Sequence, residues 1–143
     1  MTLEKSFQLH LPEPPEHLLT PEKVFAGKPP FGALERDGLE LSGELAAEVP
    51  LLGEIRFPFK SLIRPEGDDR ARLEAVILEP NPPFWAELSG AGRLEGGGIG
   101  YELSLRVHAE LPQGEKWGGQ ALRRMAQVAF ERSVERVLAQ LGQ

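Results

Sequence analysis

The chain opens on a strict alternation. Leu3, Phe7, Leu9 and Leu11 share one parity and Glu4, Ser6, Gln8 and His10 the other, with Lys5 the one break in the apolar row. Successive side chains of an extended backbone leave opposite faces, so this period of two predicts a half-buried strand. Pro12, Pro14 and Pro15 end it. Thr20-Pro21-Glu22 then reads as an N-cap, a proline at the first helical position and an acidic first turn, with Gly27 as the stop. One or two short helices are expected between Glu16 and Ala26.

From Phe31 to Leu111 the pattern is strands and turns without a helix. Asp37-Gly38 signals a hairpin between Gly32–Arg36 and the row Leu39, Leu41, Gly43, Leu45, Ala47, Val49. Pro50 and Gly53 separate that row from Ile55, Phe57, Phe59 and a following Leu62-Ile63. The polar turn 65–69 leads to Leu73, Ala75 and Ile77, and Pro80-Asn81-Pro82-Pro83 closes that strand. Phe84, Ala86, Leu88, Gly90, Gly92 and Leu94 come next, opposite Trp85, Glu87, Ser89 and Arg93. After Glu95-Gly96-Gly97-Gly98, Ile99, Tyr101, Leu103, Leu105, Val107, Ala109 and Leu111 face one way, and Glu102, Ser104, Arg106, His108 and Glu110 the other. One dry and one wet face imply an antiparallel sheet.

The last segment changes period. Leu122, Met125, Ala126, Ala129, Phe130, Ser133, Val134, Val137, Leu138 and Leu141 recur at three and four residues, with Arg123, Arg124, Gln127, Glu131, Glu135 and Gln140 opposite. A helix is expected from after Gly118-Gly119 to the end, on the order of 35 Å long at about 1.5 Å per residue. The expected fold class is α+β: a curved antiparallel sheet of about seven strands wrapped around this C-terminal helix, since one dry sheet face and one helix must cover each other.

Length and charge narrow the partners. At 143 residues the chain fits a single domain, 1–143, able to build a core without disulfide or metal staples. It has no cysteine, which excludes thiol catalysis and cysteine-ligated metal and suits a reducing cytoplasm. A net charge of −6 argues against holding nucleic acid by bulk electrostatics. No signal-like N-terminus and no run of about 18 apolar residues is present, so stable membrane insertion is not expected. Eleven arginines against five lysines, one asparagine and 13 prolines lean towards a thermophilic source.

Catalytic chemistry finds little support. His10, His17 and His108 have no metal-ligand spacing, and two of them fall on the wet parity. No metal and no cofactor is expected. The serines sit in no GxSxG elbow, and the glycines between 90 and 100 lie between strands rather than opening a helix. Charged pairs such as Glu102 with Arg106 or Arg132 with Glu135 fall on the solvent face. Beyond residue 38 the inward positions nearly lack ionisable groups, whereas acid–base or nucleophilic catalysis needs one inside the site. Tyr101 is the exception, either an ordinary core tyrosine or a polar group in a site.

Inward positions mix large residues with small ones: Gly43, Ala47, Ala75, Ala86, Gly90 and Gly92 on the sheet, Ala126, Ala129 and Ser133 on the helix. Small residues facing each other either leave an apolar void or let helix and sheet approach closely, and both readings stay open here. The residues expected to line a pocket are Phe57, Phe59, Phe84, Leu88, Tyr101, Leu103 and Leu105 on the sheet with Met125 and Ala129 on the helix. Phe25, Phe31, Pro29-Pro30 and Trp117 are expected at the pocket rim or as end plugs of the core.

In this order of elements the chain resembles the START/Bet v1-like (SRPBCC, helix-grip) superfamily, and within it the small bacterial proteins of the polyketide cyclase-like group and those akin to a carbon monoxide dehydrogenase subunit. The resemblance spans nearly the whole chain. It rests on the element order, the segment Thr20-Pro21-Glu22-Lys23-Val24-Phe25, the glycine hairpin at Gly96–Gly98, and the ending from Trp117-Gly118-Gly119 through Phe130-Glu131-Arg132-Ser133-Val134. It implies a cavity between sheet and helix for a lipid, isoprenoid, polyketide or other apolar molecule. The expected function is binding of such a molecule without catalysis. A cyclase or aromatase on the same fold and a protein–protein adaptor with a filled core are the alternatives, and a homodimer stays open.

Overall fold

The alternating rows become strands. The computed structural model describes residues 2–28, 31–50, 53–110 and 120–139. The elements run β1 (Thr2–Leu11), a 3-10 turn (Pro15–Leu19), α1 (Pro21–Val24), β2 (Phe31–Asp37), β3 (Glu40–Val49), β4 (Gly53–Glu66), β5 (Arg70–Ala75), β6 (Phe84–Glu95), β7 (Gly98–Ala109) and α2 (Gln120–Ala139). The sheet order is β1-β7-β6-β5-β4-β3-β2, antiparallel throughout. This is the expected seven-stranded sheet with a C-terminal helix. The expected rim residues Trp117 and Pro29-Pro30 lie outside the described residues, as do Leu111, Leu141 and the side chains of Leu122, Ala126 and Leu138.

Two devices shape the sheet. Gly90 sits within β6 at φ +139°, its Cα so close to the Glu102 carbonyl of β7 that any Cβ would collide with it. Between Gly32 and Glu35 the β2–β3 register shifts, with Ala33 at φ +48°; such bulges increase local twist. β5 pairs only Ser61–Glu66 of β4 and Gly90–Arg93 of β6, so the remainders of those strands lose their common neighbour. Ser61 spans the junction, its buried hydroxyl donating to the Leu88 carbonyl at 2.6 Å.

The inward rows supply the core: Leu41, Leu45, Ala47 and Val49 of β3, Ile55, Phe57, Phe59 and Ile63 of β4, Ala86 and Leu88 of β6, and Ile99 to Ala109 of β7. Phe130 and Val134 of α2 close it. The backbone of α2 comes close chiefly to β3 and β1. The other strands between them in the sheet therefore meet the helix through side chains, above all Phe57 and Phe84 against Phe130.

Several expectations need correction. Asp37 pairs with Glu40, so the turn is Gly38-Leu39 rather than Asp37-Gly38, and Leu39 is 51% exposed. Ile77 lies beyond the end of β5 and is 59% exposed. Met125, expected on the inward stripe, is 66% exposed on the outer side of α2. Trp85 belongs to the outer parity yet is only 7% exposed, because His108 of the neighbouring strand stacks on it at 4.2 Å and 18°. His108 is accordingly no free surface histidine: its Nε2 meets Glu87 at 2.6 Å and its Nδ1 the Thr2 hydroxyl at 3.3 Å. Thr20 occupies the expected cap position, but its side chain caps nothing.

Candidate functional site

Two aromatic groups lie between the concave face and the elements that cover it. At one end Phe57, Phe84 and Phe130 form a triangle with ring centres 5.9–6.2 Å apart. At the other, Phe25 follows α1 and touches Phe31 at 5.3 Å and Tyr101 at 5.2 Å, while Phe31 meets Phe59 edge-on at 6.1 Å. Tilted and edge-on contacts at these distances are the favourable geometry for ring quadrupoles. Phe25 and Phe31 are buried, so they plug this end of the core. Phe57, Phe59, Leu88, Leu103 and Leu105 are buried with them, and Phe84 and Ala129 are half-buried.

The glycine positions are not voids. A Cβ on Gly43 would strike Leu34 Cδ2 and approach Phe59 at 3.2 Å, and one on Gly92 would meet the Tyr101 ring at 2.9 Å and Leu18 at 3.5 Å. Neighbouring side chains already occupy the room these residues leave.

Tyr101 is 4% exposed, and its hydroxyl has no hydrogen-bond partner; the Thr20 hydroxyl is equally buried and equally alone. Burial, with a smaller contribution from the Glu13 carboxylate, pushes the Tyr101 pKa well above the ordinary tyrosine range. Near neutral pH this phenol stays protonated, able to donate to an acceptor but not to serve as a base.

Space opens at the edge of the helix. Between the end of β3 and α2 lies a cleft of about 480 Å³ lined by Glu48, Val49, Pro50, Ala129, Arg132, Ser133 and Arg136. Val49 and Ser133 are core residues, so its floor is the seam itself. Ser133 donates its hydroxyl to the Ala129 carbonyl at 2.9 Å, which leaves that floor without a free donor hydrogen on this side chain. Of the expected pocket residues only Ala129 lines this cleft. Val49 belongs to the inward row of β3, Ser133 is one of the small helix positions that leave either a void or a close approach, and Arg132 reads with Glu135 as solvated surface charge; for Arg136 the only signal is its spacing of four from Arg132 beside the apolar stripe.

A second depression, about 360 Å³, lies where Gly100 carries no side chain, between Gln8, His10, Arg70, Arg93, Glu95 and Glu102. There Glu95 is held by His10 at 2.7 Å and Arg93 at 3.1 Å, and these contacts, His10 first, keep its pKa below the usual carboxylate range. Among the described residues no group of three or more metal-ligating side chains converges, and no helix is long and apolar enough to cross a membrane.

The chain is similar to several solved structures. The protein TTHA0849 of Thermus thermophilus is 22% identical with a TM-score of 0.46, over 98% of this chain and 94% of that one. The aromatase/cyclase Zhui from Streptomyces sp. R1128 is 17% identical with a TM-score of 0.42, over 99% and 93%. SA2116 of Staphylococcus aureus, a protein of unknown function, is 10% identical with a TM-score of 0.42, over 98% and 91%. No curated protein matches the chain. A family model described as "Protein of unknown function (DUF3809)" matches residues 4–139, and the chain belongs to that family.

Proposed function

We propose that the protein binds an apolar small molecule along the seam between α2 and the concave sheet and releases it chemically unchanged. The observation that carries this reading is the cleft of about 480 Å³ opening onto the core between Val49 and the Ala129–Ser133 edge of α2. Its volume lies within the roughly 300–1,000 Å³ usual for small-molecule sites. The side chains behind it are aromatic and aliphatic, so an occupant is held by burial, at roughly 25 cal/mol for each Å² of apolar surface removed from water. Repacking of Phe57, Phe84 and Phe130 is the route by which it goes deeper. The ligand-lining roles of Phe57, Phe84, Leu88, Leu103, Leu105 and Ala129 belong to this proposal.

The alternatives lack the features that would favour them. An enzyme reading would be favoured by Tyr101 bonded to a titratable partner, and its hydroxyl has no partner among the described residues. An adaptor reading called for an exposed apolar patch at Trp85, which is buried.

The test is Ala129→Phe, which places a ring in the cleft mouth at a half-buried helix position. Uptake of a polarity-sensitive naphthylamine probe is expected to fall at least tenfold while the circular dichroism spectrum is retained. Undiminished uptake would remove the cleft from the site.

A further inference from the structure

Two arginines stand at the cleft without partners among the described residues. Arg132 and Arg136 are four residues apart on one edge of α2, the spacing that stacks side chains on a helix surface. Like charges so placed repel each other and disfavour the helix. In a chain of net charge −6, a carboxylate is the expected neighbour of an exposed arginine. Among the described residues Arg36, Arg56, Arg64, Arg72, Arg93 and Arg106 each meet a glutamate, whereas Arg70 on the sheet and Arg124 on the helix, neither of them at the cleft, do not. Arg132 and Arg136 have no ion-pair or hydrogen-bond partner among the described residues, although Glu131 and Glu135 adjoin them in sequence. Both line the cleft, where the one acidic residue among the described lining is Glu48, on the outer parity of β3. The rim is therefore net positive above an apolar floor.

Resting on the seam reading above, we propose that the occupant is a single-chain amphiphile with an anionic oxygen headgroup. Its tail follows the seam past Val49 and Ala129, and its head lies across Arg132 and Arg136. The guanidinium fork matches the spacing of two carboxylate or phosphate oxygens, so either headgroup fits the same pair.

The experiment titrates the full chain and an Arg132→Gln/Arg136→Gln variant with cis-parinaric acid and with its methyl ester. Dodecanoate and dodecyl phosphate serve as competitors. Among the described residues neither arginine makes an ion pair or hydrogen bond, so the variant is expected to keep the wild-type Tm. The acid is expected to bind wild type about tenfold more tightly than the variant, with the difference shrinking as salt is raised, because exposed charge pairs are weak and screened. The ester is expected to bind both proteins alike. The inference is overturned if wild type does not distinguish acid from ester, or if the variant loses both equally. Retention by anionic vesicles without uptake of the dissolved acid also overturns it, by assigning the arginines to a membrane surface. If neither probe binds wild type, the seam reading falls and takes this inference with it; if acid and ester bind alike, only the headgroup assignment falls.

Discussion

Replacing Tyr101 by Phe is expected to stabilise the protein. The Tyr101 hydroxyl is buried without a partner, and a polar group left so forfeits the hydrogen bonds it makes to water when the chain unfolds, a cost of about 1–3 kcal/mol. Removing one oxygen vacates on the order of 10 Å³, which at about 24 cal/mol per Å³ returns only about 0.2 kcal/mol. The ring contact with Phe25 at 5.2 Å survives the change. A net gain of about 1–2 kcal/mol corresponds to a Tm rise of roughly 3–6 °C for a chain of this size. Scanning calorimetry of the two proteins at neutral pH measures it. An unchanged or lower Tm would mean that the hydroxyl is satisfied in solution, and the argument from its isolation would fail.

The same residue fixes a pH dependence. Its folded pKa is raised, so below the unfolded value of about 10 the phenol is neutral in both states and pH has no leverage through it. Above about pH 10 the unfolded chain releases the proton first and gains, and this contribution to stability is lost at up to about 1.4 kcal/mol per pH unit. Tyr101 is the only tyrosine in the chain. The tyrosinate absorbance band therefore reports this one group, and it is expected to appear together with unfolding rather than before it.

Two further substitutions probe the scaffold. Ser61→Ala deletes the donor to the Leu88 carbonyl where β5 stops, and is expected to cost about 1 kcal/mol in urea denaturation; no loss would show that β4 and β6 hold together without it. His108→Ala removes the ring stacked on Trp85 and the contact with Glu87, with an expected cost of about 1 kcal/mol and a red shift of tryptophan emission as Trp85 meets water. An unshifted spectrum would mean that something else covers the indole.

The strands were legible because period two survives every local irregularity: the rows from Leu41 to Val49 and from Ile99 to Ala109 face the core as their parity dictates. Parity, however, assigns a side chain to a face without saying what lies on that face. Trp85 lies on the outer side as its parity dictates and is nonetheless buried, because its burial depends on His108, a cross-strand neighbour 23 positions away in sequence. Leu39 and Ile77 failed at strand ends, where a one-residue change in the turn removes a residue from the pleat. The place of Met125 follows from helix geometry alone. At about 100° per residue it lies on the order of 180° from Val134, which places it opposite the buried stripe. The cleft was only half visible, since Ala129 and Ser133 marked thin positions on the helix but nothing local paired them with the end of β3. Gly43 and Gly92 suggested voids that Leu34, Phe59, Tyr101 and Leu18 occupy, contacts that only three dimensions supply.

The pairing of Thr2 with His108 closes a span of 106 residues. Contacts this remote in sequence are entropically the slowest to find, so the edge formed by the first strand is expected to be the last part of the curved shell to zip up. Because the helix leans on that strand as well as on β3, its seat on the sheet is expected to be complete only once this edge has closed.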